Sequence, residues 1–120
     1  MIAGQRLAVL VGIWSGLLPC RAATVTKTNN VDNLNLSSSW VEGVAPGAGD
    51  VALWNSTVSG DSAASLGADL SWAGIRIANP GGAVTINAGN TLTLGASGID
   101  MGSATTNLTI RADLTLLENA

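Results

Sequence analysis

Eight carboxylates make up the acid–base inventory of this 120-residue chain: Asp32, Glu42, Asp50, Asp61, Asp69, Asp100, Asp113 and Glu118. A glycosidase needs two such groups about 5–9.5 Å apart across a cleft. Here they are scattered singly among short turn-forming stretches, and no spacing forces a pair together. Solvated charges that keep a β-structure soluble and discourage edge pairing account for them better. The chain has no histidine, and its single cysteine is Cys20. Serine triads, thiol nucleophiles and zinc sites therefore lack their usual members. Calcium could use Asp and backbone oxygens, yet neither an EF-hand loop nor the Gly-Gly-x-Gly-x-Asp nonapeptide occurs. No catalytic set, metal or cofactor is expected.

The stretch GAGDVA, Gly47 to Ala52, fits the Gly-x-Gly-x-x-Ala dinucleotide pattern. That pattern carries chemistry only between a strand and a helix whose N-terminus receives the pyrophosphate. Polar loop precedes it here and a strand pattern follows, so a plain turn is the better reading. Of the aromatics beyond the first stretch, Trp40, Trp54 and Trp72, Trp72 shares a strand face with Leu70 and should pack in the core. Trp54 follows Leu53 by one position and should point outward. An exposed Trp54, with Trp40, could stack on sugar rings; alternatively, both cover the open end of a core. The sequons at Asn35, Asn55 and Asn107 are of a kind that arises by chance in a chain this rich in Asn, Ser and Thr.

The elements that would position these residues begin after a leader. Residues 1–22 have the layout of a secretory signal peptide: Arg6, an apolar run from Leu7 to Leu18, and a small-x-small exit at Cys20-Arg21-Ala22. Cleavage is expected after Ala22, with Ala23 as the alternative. Twelve apolar residues reach about 18 Å as a helix, short of the ~30 Å hydrocarbon core, which argues against an anchor. Lipid attachment at Cys20 is a third reading, weakened by Pro19 where a small residue is expected. After cleavage, Lys27, Arg76 and Arg111 stand against eight carboxylates. Three cations less eight anions leave a net charge of −5. That balance disfavours nucleic acid and anionic membrane surfaces as partners, and no membrane span or disulfide would remain.

From Gly74 onward, apolar residues arrive as doublets around one small or polar residue: Ile75/Ile77, Val84/Ile86, Leu92/Leu94, Ile99/Met101, Leu108/Ile110 and Leu114/Leu116. Spacing of i, i+2 puts both side chains on one face of a strand. Gly, Asn, Pro, Ala and Ser lie between, where chains turn at little cost. The doublets themselves repeat: Ile75 to Ile99 and Val84 to Leu108 are 24 positions, and Leu92 to Leu114 is 22, a two-residue shortening around Arg111 to Asp113. Three strands per repeat with like strands matching is the pattern of a parallel β-helix, a solenoid whose rungs bury one another's apolar faces. An antiparallel sandwich also has short, frequent strands, but hairpins do not require strand n to resemble strand n+3. The twelve doublet residues are the expected core. Arg76 and Asp100, each between two core positions, should face one another on adjacent rungs, as should Thr85 and Thr109, and Thr93 and Thr115.

Counting back 24 from Ile75 reaches Val51, which with Leu53 makes a further doublet. A less regular rung then runs through Thr57-Val58-Ser59 and Leu70-Ser71-Trp72. Residues 23–50, with the doublet Leu34 and Leu36, are expected to form an N-terminal cap, and 51–120 the rungs. The stretch ending in LTLLENA shows no cap, so self-association through the last rung is expected.

The segments SSSWVEGVAPGAGDVALWN and LGADLSWAGIRIANPGGAVTINAGNTLTLGASGIDMGSATTNLTI resemble the N-terminal passenger region of bacterial autotransporter-associated β-strand repeat proteins. The resemblance covers about Ser37 to Leu116, and rests most on Trp40, Pro46-Gly47, Gly49-Asp50 and Leu92-Thr93-Leu94-Gly95 with Gly98-Ile99-Asp100-Met101. It implies a secreted or cell-surface parallel β-helix, right-handed as parallel crossovers are, with a structural or adhesin-like role and no catalytic set. The family's Gly-rich tandem repeats and C-terminal barrel are not in this sequence, which reads as a truncated product. A carbohydrate-binding module and a polysaccharide-active β-helix enzyme fragment are the alternative functions.

Overall fold

The i, i+2 doublets form strands, and the strands pair with their counterparts one coil away. In the computed structural model, which describes residues 23–117, the elements are β1 (Thr24–Thr26), a 3-10 turn η1 (Ser37–Ser39), β2 (Val51–Trp54), β3 (Ser62–Ala64), β4 (Leu70–Ile77), β5 (Val84–Ile86), β6 (Thr91–Asp100), β7 (Leu108–Ile110) and β8 (Asp113–Leu116). The leader, with Arg6 and Cys20, and Glu118 lie outside the described residues. One sheet has the order β1-β2-β4-β6-β8 and the other β3-β5-β7. Every strand pair is parallel. The chain is a parallel β-solenoid.

The ladders hold the expected register. Ile75 pairs with Ile99 and Arg76 with Asp100, Val84 with Leu108, Thr85 with Thr109 and Ile86 with Ile110, and Leu92 with Leu114, Thr93 with Thr115 and Leu94 with Leu116. Strands β4 and β6 each turn a corner of the coil. There the register shifts between Trp72 and Gly74: β6 spends Gly95, Ala96 and Ser97 where β4 spends Ala73 alone. Those two extra residues lengthen the repeat to 24, and the tighter turn before Asp113 removes them.

Burial follows stacking. Ile75, Ile77, Val84, Ile86, Leu92 and Leu94 are buried, whereas Ile99, Met101, Leu114 and Leu116 are 41%, 38%, 40% and 63% exposed, and Leu108 and Ile110 are half-buried. These last six were expected in the core with the others. They occupy the same ladder positions, but the described coils cover them from one side only, so half of each site's packing is missing.

Three expectations for the first coils are corrected. Val51 pairs with Gly74, not Ile75, so the offset is 23 rather than 24. A one-residue slip exchanges the two faces of a strand. Ala52 and Trp54 are therefore buried, and Val51 and Leu53 lie on the outer face. Second, the ladder starts before residue 51, because β1 pairs with β2; with one inward apolar residue, Val25, it left no doublet to find. Third, the strand of the irregular rung is Ser62–Ala64, not Thr57–Ser59. Ser62 and Ala64 stack under Val84 and Ile86, small residues where the pattern looked for large ones. Leu34 is fully buried, but its partner Leu36 is 45% exposed.

Coils approach closely where turns stack. A Cβ on Gly82 would run into the backbone nitrogen and Oδ1 of Asp61 in the coil below. Asp61 Oδ1 accepts the backbone N–H of Ala83 at 3.0 Å, so Gly82→Ala pushes apart the turn that this bond closes. Overpacking of this kind costs about 1–3 kcal/mol, and chemical denaturation should show the loss as a lower midpoint with an unchanged slope.

Candidate functional site

Polar side chains concentrate in the turns and in the N-terminal cap. Of the seven described carboxylates, six accept a hydrogen bond. Asp61 and Asp69 bind the next coil, through Ala83 N–H and, at 2.9 Å, Thr91 N–H. Glu42 Oε1 accepts Thr26 N–H at 2.9 Å and Asp50 Oδ2 accepts Gly47 N–H at 2.8 Å. Asp100 Oδ1 accepts Gly102 N–H, and Asp32 Oδ2 accepts the Ser38 hydroxyl at 2.6 Å. Neutral side chains do similar work between coils: Thr106 Oγ1 donates to Gly82 O, and Thr105 Oγ1 to Asn79 Oδ1, both at 2.8 Å. A carboxylate accepting a backbone N–H gives that donor a protein partner and fixes the turn around it. Among the described residues, no three of His, Cys, Asp and Glu cluster to hold a metal ion.

The outer faces carry short side chains in register. Ser71, Thr93 and Thr115 form one row, and Ala63, Thr85 and Thr109 another. Arg76 and Asp100 meet as expected, Nε to Oδ2 at 3.8 Å, with both side chains at least half exposed. At that exposure the pair marks register and contributes about 0–1 kcal/mol. GAGDVA is a turn: Asp50 N–H donates to Gly47 O at 3.0 Å, and β2 follows, so no helix N-terminus faces the glycines.

The tryptophans do not form a sugar platform. Trp54, expected to point outward, and Trp40, its companion in the sugar-stacking alternative, are 1% and 2% exposed. With Trp72 they make a closed triad, ring centroids 5.7, 5.8 and 6.1 Å apart. The Trp40–Trp54 and Trp40–Trp72 pairs are edge-to-face, an arrangement favoured by the ring quadrupole. Trp40 Nε1 donates to Leu34 O at 2.9 Å. The triad is the plug of the first coil, as the covering reading of Trp40 and Trp54 held, and the faces a sugar would need are taken by other indoles.

The group that sequence reasoning missed is Lys27. Its side chain is fully buried, and its Nζ donates to Thr28 O, Asn30 O and Asn30 Oδ1 at 2.9, 2.8 and 2.9 Å. Loss of solvent pushes its pKa below the ordinary 10.5, against the pull of the Asp32 carboxylate. Lys27 N–H donates to Leu53 O and Val41 N–H to Thr26 O, both at 2.8 Å, and Lys27 bridges Trp40 in antiparallel sense. The ammonium thus ties the cap loop to β1. Its neighbours Thr26, Thr28, Asn29 and Asn30 read as solvated polar chain, and nothing in their spacing announces a buried cation.

No protein family, curated protein or solved structure matches this chain. No described helix is long and apolar enough to cross a membrane.

Proposed function

We infer that the chain is an exported, passive structural segment: a stretch of surface rod of the autotransporter-associated β-strand repeat type, with an adhesin-like rather than catalytic role. The observation that carries this reading is the use made of the acidic side chains. Five of them hold backbone N–H groups of turns or neighbouring coils, a task that leaves them fixed as structure rather than aimed into a cleft. The outer rows of Ser and Thr are flat and short. Each coil lengthens such a rod by about 4.8 Å, so stacked coils serve to hold other surfaces at a distance from a cell.

Expression of the full chain in a bacterial host tests it. The exported product should begin at Ala23 or Thr24 by N-terminal sequencing. It should also leave a panel of acidic and neutral polysaccharides at their starting chain length. Retention of the first 22 residues in the cytoplasm would sink the exported role, and depolymerisation of any polysaccharide would sink the passive one.

A further inference from the structure

The buried ammonium of Lys27 has three acceptors, and only one of them can react with it. Thr28 O and Asn30 O, at 2.9 and 2.8 Å from Nζ, belong to backbone peptides, where substitution would have to break the chain. Asn30 Oδ1, at 2.9 Å, belongs to a side-chain amide whose nitrogen can leave as ammonia. That amide is held at both ends. Its Nδ2 donates to Ser38 O at 2.9 Å, and its Oδ1 also accepts the backbone N–H of Asp32 at 3.3 Å. The second contact polarises the carbonyl and is already in place for negative charge developing on Oδ1. The Asp32 carboxylate is tied to the same residue as the amide nitrogen, since its Oδ2 accepts the Ser38 hydroxyl. The cap brings two charged groups to this region: Asp32, whose field favours the ammonium, and Glu42, which holds the N–H of the adjacent Thr26. β2, the strand paired with β1, carries no charged side chain.

We propose that Lys27 and Asn30 are a self-cross-linking pair, joined by an isopeptide bond between Nζ and Cγ that locks the cap loop to the end of β1. The neutral amine attacks Cγ with its lone pair, and the carbonyl electrons move to Oδ1, where the Asp32 N–H meets them. A proton passes from Nζ to Nδ2 with the Asp32 carboxylate as relay. The Cγ–Nδ2 pair then departs with ammonia, and the Nζ–Cγ amide remains. In total, one lysine ammonium and one amide become a new amide and a free ammonium ion, so no oxidant or other reactant is consumed. Holding the nucleophile against its carbonyl takes the place of an external catalyst. Near neutrality Lys27 keeps its proton and uses its hydrogens in the three contacts, so the reaction is slow and fresh protein retains the free side chain. Burial releases that proton below the ordinary 10.5, where the amine becomes a nucleophile. The bond forms within the chain and depends on neither export nor adhesion.

Intact mass spectrometry and peptide mapping of the full chain, held folded over a series of pH values, test this. A population one ammonia lighter should accumulate, faster as pH rises and then at a constant rate once Lys27 is mostly neutral. In that population trypsin should no longer cut after Lys27, and fragmentation should place the link between residues 27 and 30. The same chain unfolded in guanidinium chloride should form the bond at least about tenfold more slowly, because positioning supplies the rate. Asp32→Asn, at an exposed site, should slow the reaction with an unchanged circular dichroism spectrum, and Asn30→Ala should abolish it. The map of the unsubstituted protein decides the matter even if a variant folds poorly. Full mass retained at every pH, loss of ammonia with trypsin still cutting after Lys27, or equal rates in folded and unfolded chains would overturn the proposal.

Discussion

Replacing Trp72 with alanine will cost the fold about 3–5 kcal/mol, the range for emptying a large aromatic site in a core. Trp72 is 1% exposed and touches both other indoles at centroid separations of 5.8 and 6.1 Å. It is also where the first face of β4 meets the cap, so the cavity would open between two coils that cannot collapse onto each other without breaking the ladder to Leu94. Small domains are stable by only about 5–15 kcal/mol, so the variant should sit near its unfolding midpoint in mild denaturant. Trp72→Phe separates shape from polarity. Among the described residues the Trp72 indole N–H has no hydrogen-bond partner, so phenylalanine gives up packing but no bond, and should lose well under half as much. Equal losses for the two variants would mean that the N–H, not the ring, matters.

The second large effect lies at Lys27. Changing it to methionine keeps the stem and removes the ammonium, leaving Thr28 O, Asn30 O and Asn30 Oδ1 without their donor. Unsatisfied buried acceptors cost about 1–3 kcal/mol each. Partial hydration of the loop offsets some of that, so a net loss of about 2–4 kcal/mol is expected by the same reckoning, with the cap loop exchanging its amide hydrogens first. The pH dependence has a defined sign. Burial lowers the folded-state pKa below the ordinary 10.5, so across that window the unfolded chain holds more protons and stability rises with pH. Below the lowered value both states are charged, and the cost of the buried charge is fully present. Lys27 is the one lysine and tyrosine is absent, so with Cys20 replaced by serine to remove the thiol's own titration near 8.5, the rise that disappears in Lys27→Met belongs to Lys27. A fall in stability across the same window would contradict the desolvated ammonium.

How much of this was legible in the sequence depends on what repeats. From Gly74 to Leu116, where leucine and isoleucine doublets recur at 22 or 24, pairing partners could be named residue by residue, down to Arg76 against Asp100. Two turns repeat as well: Gly67 and Gly89, 22 apart, both take positive φ, at 81° and 114°, so the same corner is built twice. Legibility failed where a coil met something other than another coil. Trp54 turned inward because β2 lies next to a cap, whose Trp40 and Leu34 supply packing that a regular coil would provide with a doublet. The one-residue shift at Val51 left no mark, since VALW alternates equally well in either phase. Lys27 was hidden for a related reason: burial of a charge is decided by carbonyls from a loop that closes around it, and sequence spacing does not encode that closure.

The claim on which the rest stands is that strands neighbour their counterparts one coil away, not their successors in the chain. Paired cysteines in the outer rows test this directly, in a chain whose Cys20 is replaced by serine. Thr85→Cys with Thr109→Cys joins positions 24 apart that are in register between β5 and β7, and should close an intramolecular disulfide on mild oxidation. Thr85→Cys with Thr93→Cys joins successive strands, β5 and β6, which lie in different sheets, and should stay reduced. Bridging of 85 to 93 with none between 85 and 109 would mean hairpins rather than coils.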